Sequence, residues 1–89
     1  MNAVNWTRPA RTIRLYAADG ALIASEAVRA NCKRSSMQAA AEHKQIDELI
    51  VHYSTIAVAV RATLTSDGEL LPFAEFVVIN GRSSLVIGE

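Results

Sequence analysis

The sequence predicts an α+β fold, an antiparallel five-stranded sheet with one helix, in two layers and in the order ββαβββ. Two observations carry this. Three turn dipeptides, Asp19-Gly20, Asp67-Gly68 and Asn80-Gly81, each stand between apolar, strand-like segments. Asn, Asp and Gly tolerate the positive φ that a type I′ hairpin turn demands, and the twist of that turn suits paired strands. Strands are therefore expected at about 12–18, 21–29, 55–65, 69–79 and 82–87. Between the second and third lies SSMQAAAEHKQIDELIVHY, where alanines and the spacing Ile46, Leu49, Ile50, Tyr53 mark a helix with one apolar stripe.

The helix start carries its own signal. Ser35 with Gln38 three residues later matches a capping box, in which each side chain satisfies a free amide of the first turn. Its end is unmarked, because ELIVHYSTIAVAV holds no Gly or Pro, and the helix is expected to stop between Asp47 and Tyr53.

Eighty-nine residues suffice for one domain, since so short a chain buries only roughly 60–65% of its unfolded surface. Residues 1–11, with Trp6 and Pro9, read as an irregular arm, and 12–89 as the α+β domain. An apolar fraction of 51% and a charged fraction of 20% are those of a folded globule and not of a disordered tail. The single cysteine forms no internal disulfide, and MNAVNWTRPARTIR lacks the apolar run of a signal peptide, so the expected location is cytoplasmic. No apolar run approaches the roughly 20 residues that cross a bilayer, so no membrane partner is expected.

Net charge is zero, which argues against a general attraction to nucleic acid. The halves nevertheless differ. Residues 1–34 hold six bases and two acids, the remainder three bases and seven acids. Arg29, Lys33, Arg34, Ser35 and Ser36 gather around the expected helix start, where unpaired amides and the helix dipole favour an anion. They are the candidate site for a small anionic ligand or an acidic protein.

Counting strand registers through two-residue turns gives the sheet two faces. Residues opposite one another about Asp67-Gly68 place Ala62 and Leu64 with Glu75 and Phe73 on a bulky face toward the helix. The other face then carries Ala57, Ala59, Phe76, Val78, Leu85 and Ile87, too apolar for water and out of the single helix's reach. These six are the candidate interface of a homo-oligomer, a dimer first. The closing strand SSLVIGE, as a sheet edge without charge before Glu89, offers a second dimer geometry. Pro72 carries a warning, because proline inside a strand signals an edge or a bulge, and a bulge shifts the register.

Chemistry has weaker candidates. Glu75, placed on the bulky face, is a candidate acid or base, and with His43 it would line a pocket between helix and sheet for a small molecule or a reaction. Cys32, beside Lys33 and Arg34, is a candidate nucleophile. Two histidines nine residues apart and one cysteine make no metal motif, and no cofactor signature is present. The sequence thus favours a self-associating binding or accessory module over an enzyme.

Overall fold

A computed structural model describes residues 11–66 and 69–86, with the backbone alone for 69–74. The expected arm up to residue 10, the Asp67-Gly68 turn and Ile87 lie outside the described residues. The fold is α+β: β1 (Arg11–Tyr16), β2 (Leu22–Ala27), α1 (Ser35–His52), β3 (Arg61–Ser66), β4 (Glu69–Ile79) and β5 (Arg82–Leu85). All pairings are antiparallel, and the sheet runs β2-β1-β3-β4-β5, so β2 and β5 are its edges.

The turns differ in how they meet expectation. Asn80 and Gly81 have φ of 55° and 78°, the pair of positive values that a type I′ turn requires, and Ile79 pairs with Arg82 across them. Asp19-Gly20 instead sits within a five-residue connection, 17–21, where only Gly20 has positive φ and Asp19 Oδ1 accepts from Ala21 N. That side-chain bond shapes the loop locally, as Asp does in Asx turns. The third strand begins at Arg61 and not at residue 55, because Tyr53 O accepts from both Ile56 N and Ala57 N and holds the chain in a turn after the helix.

One irregularity in β4 decides the faces of the sheet. Ser66 pairs with Glu69 and Thr65 with Leu70, the expected register, but Thr63 pairs with Glu75 and Ala62 with Phe76. Four residues, Leu71 to Ala74, therefore oppose Leu64 alone, and the three extra residues invert the alternation beyond them. Pro72, which has no amide to donate to a ladder, lies inside this bulge. Phe76 accordingly joins Ile13, Leu15, Ala62 and Leu64 in the core, and Glu75 turns to the opposite face.

The helix-facing layer closes on Ile46, Leu49 and Ile50, with Tyr53 packed against them, the stripe that the spacing predicts. Ile13, Leu15 and Ile46 are completely buried. Burial of such side chains contributes about 1.5–3 kcal/mol each. The far face is polar. Arg61 pairs with Glu75 at 3.1 Å and lies 4.7 Å from the Tyr16 ring centroid, while Arg14 Nη1 donates to Thr65 Oγ1 at 3.0 Å. The expected apolar free face is thus replaced by one that carries Arg14, Tyr16, Arg61 and Glu75, with Thr63 and Thr65 buried among them.

Candidate binding groove beside the edge strand

The face of α1 that looks at the sheet begins polar and ends apolar. Gln38, Glu42 and Gln45 are buried in line with Ile46, Leu49 and Ile50. Their partners explain the polar half. Gln38 accepts from Cys32 N at 2.7 Å and donates to Ala30 O at 2.9 Å and to Glu42 Oε2 at 2.8 Å. Gln45 accepts from Arg29 N at 3.0 Å and donates to Ala27 O at 2.9 Å. Two amide side chains therefore bind the β2–α1 connection to the helix, satisfying backbone groups that burial would otherwise leave unpaired.

This use of Gln38 removes the expected capping box. Arg34 is the cap residue, extended at φ −92° and ψ 136°, with no side-chain capping bond. The candidate anion site is dispersed in turn. Lys33, Arg34, Ser35 and Ser36 are exposed near the helix start, but the Arg29 guanidinium points to Glu48 Oε1, 3.2 Å away and more than three turns along the helix.

The candidate interface residues are dispersed too. Ala59 and Phe76 are buried in the core, Val78 packs against it, Ala57 is partly covered, and Leu85 is exposed. Glu75 and His43 stand on opposite faces of the sheet, because the ring of His43 lies 5.2 Å from that of Phe76 whereas Glu75 faces the other way. The expected pocket between them does not form, since the bulge that buries Phe76 also turns Glu75 outward. Glu75 is partly exposed and paired with Arg61. Cys32 is partly buried in the connection that Gln38 holds.

Three residue types of a hydrolytic triad do meet at β5, wired for another purpose. Asp47 Oδ1 accepts from Ser83 Oγ at 2.6 Å and from Ser83 N at 2.9 Å. His43 Nε2 lies 2.9 Å from Ser83 O, and because a carbonyl only accepts, that nitrogen carries the proton. The serine hydroxyl thus donates to a carboxylate and leaves the imidazole without a proton to abstract. What the trio accomplishes is cover for the β5 edge at Ser83. Ile79 and Arg82 form the bonded pair next to the turn, so the N–H and C=O of Ser83 face outward, and Asp47 and His43 occupy both.

The other edge is closed at one end only. Val28 N donates to Arg11 O, which makes that a bonded pair and turns the main-chain groups of Ala27 and Ser25 away from β1. Gln45 takes Ala27 O; among the described residues no side chain reaches the main-chain groups of Ser25. Beside it, Glu26, Arg29, Glu48, Leu49 and His52 line a groove of about 280 Å³. Tyr53 donates a hydrogen bond to Glu26 Oε2, and the His52 ring meets the Tyr53 ring edge-on, 4.8 Å between centroids. That bond, with burial and the negative charge of Glu26, raises the Tyr53 hydroxyl above its ordinary value of 10.0.

Sequence reading did not single out Glu26, Gln45, Asp47 or Ser83. Gln38, Glu42 and Gln45 did carry a signal, since they continue the spacing of the apolar stripe toward the helix start. Among the described residues no group of three His, Cys, Asp or Glu could hold a metal ion, and no helix is long and apolar enough to cross a membrane. The chain matches no family model, no curated protein and no solved structure.

Proposed function

We propose that this protein is a small cytoplasmic binding module that self-associates as a dimer through the apolar end of its sheet. One observation supports the reading. Val60 O accepts from Val78 N, which lays the segment before β3 along the end of β4. There Ile56, Val58 and Ile79 are 73%, 75% and 63% exposed, with Val77 beside them at 39%. Single exposed apolar residues are ordinary, but several large ones on adjacent segments are the composition of a contact surface. A twofold axis would set such a patch against itself without requiring charge complementarity. The charged pair Arg61–Glu75 on the far face and the covered main chain of Ser83 on β5 favour this apolar end for association.

Light scattering over micromolar concentrations tests the reading. The expected result is a dimer that Val58→Asp with Ile79→Asp converts to a folded monomer, judged by an unchanged circular dichroism spectrum. A wild-type chain that is monomeric throughout overturns it.

A further inference from the structure

We propose that the open stretch of β2 and the groove beside it take an extended, basic peptide segment by strand addition. This concerns a different surface from the self-association reading and stands independently of it. Both edges of the sheet are reached by side chains of α1, but unequally. On β5, Ser83 has both main-chain groups occupied, whereas on β2 Gln45 stops at Ala27 O and Arg29 N. The N–H and C=O of Ser25 and the N–H of Ala27 face outward, and both residues are exposed. An added antiparallel strand gains its first bonded pair at Ser25.

Charge chooses the occupant. Glu26 shares the helix-facing side of β2 with Ala24, and it pairs with the buried Ile13. A residue opposite it on an added strand would place its Cβ about 4.5–5.5 Å from that of Glu26 and over the groove. Tyr53 gives Glu26 a hydrogen bond but no positive charge, and among the described residues no cation pairs with Glu26. Glu48, on the facing helix flank, pairs with Arg29. The two carboxylates outnumber the single guanidinium of Arg29 in this lining, and Leu49 supplies apolar wall for the stem of a lysine or arginine. A glutamate in the same place would meet two carboxylates.

The probe is an acetylated, amidated Val-Lys-Val-Lys-Val peptide titrated into the full chain and followed by backbone amide shifts, beside Val-Glu-Val-Glu-Val. The lysine peptide is expected to shift Ser25 and Ala27 and to bind at least tenfold more tightly than the glutamate peptide. Glu48→Lys should reduce that preference at least fivefold. Ser25→Pro removes an outward amide without touching the β1 ladder and should abolish binding, the fold being checked by its amide spectrum. Equal binding of the two peptides, binding by neither, or full binding by the folded Ser25→Pro variant overturns the proposal. Dissociation of a wild-type dimer by Ser25→Pro also overturns it, by giving the edge to a second copy.

Discussion

Arg11 Nη1 lies 2.7 Å from Glu42 Oε2, and this carboxylate is almost wholly buried whereas the arginine is 31% exposed. The pair joins the first strand to the polar half of the helix, and Gln38 donates to the same oxygen. Removing the cation alone strands a buried charge, which costs roughly 3–5 kcal/mol in closed interiors and toward the lower end here, because Arg11 reaches water. Arg11→Met is expected to lose about 3 kcal/mol in urea unfolding. Arg11→Met with Glu42→Leu should recover most of that loss; a double variant as unstable as the single one contradicts the account.

Asp47 is expected to matter more than its partly exposed position implies. Asp47→Ala leaves the Ser83 amide and hydroxyl without their acceptor, at about 1–3 kcal/mol, whereas Ser83→Ala removes one bond of about 1 kcal/mol. The larger consequence is kinetic and colloidal. With its edge uncovered, β5 should show faster amide exchange at Ser83, and Asp47→Ala should aggregate at concentrations where Ser83→Ala stays clear. Equal behaviour of the two variants would deny the carboxylate its role as an edge cover.

The hydrogen bond from Tyr53 to Glu26 has a definite pH signature. A folded-state value raised above 10.0 means that the native protein holds the phenolic proton more tightly than the unfolded chain. The stability so gained is complete below pH 10, and it is lost as pH rises through the native value. In a Tyr16→Phe background, tyrosinate absorbance should rise above pH 10, and Glu26→Gln should move that rise down toward 10. An unmoved titration contradicts the assignment of the bond as the main cause.

What the sequence disclosed and what it concealed divide along physical lines. Local chemistry was legible. Asn80-Gly81 needs no tertiary information to form its turn, and Ile46, Leu49 and Ile50 share a helical face by spacing alone. The register of β4 on β5 was legible through the Asn80-Gly81 turn, but that of β4 on β3 only as far as Leu70. Beyond it the outcome depends on how many residues a bulge absorbs, and an odd number exchanges the neighbours Glu75 and Phe76 between faces. Pro72 signals a break without giving its size. The edge covers were hidden for another reason, since Gln45 and Asp47 act on segments 16–36 residues distant and look like ordinary helix-surface residues in the sequence.

Gln38 provides a test of the buried polar half of the helix. Gln38→Ala removes an acceptor from Cys32 N, a donor from Ala30 O and a donor from Glu42 together. The expected cost is about 1–3 kcal/mol, with faster exchange of the Cys32 amide while the amides of Ile46 to Ile50 stay protected. A uniform acceleration along the whole helix would show that the glutamine supports the helix itself and not the connection.

Phe76 and Ile79 separate core from surface in one strand. Phe76 is 5% exposed and stacks near His43, whereas Ile79 is 63% exposed next to Arg82. Phe76→Glu forfeits about 3–5 kcal/mol of packing and buries a charge in addition, an expense on the scale of a small domain's whole stability. That variant should fail to fold, seen as loss of a cooperative thermal transition. Ile79→Asp should keep the transition within a few degrees of wild type, because the side chain it replaces already stands in water. A folded Phe76→Glu protein would place Phe76 outside the core and return β4 to the unbulged register, with Glu75 beneath the helix.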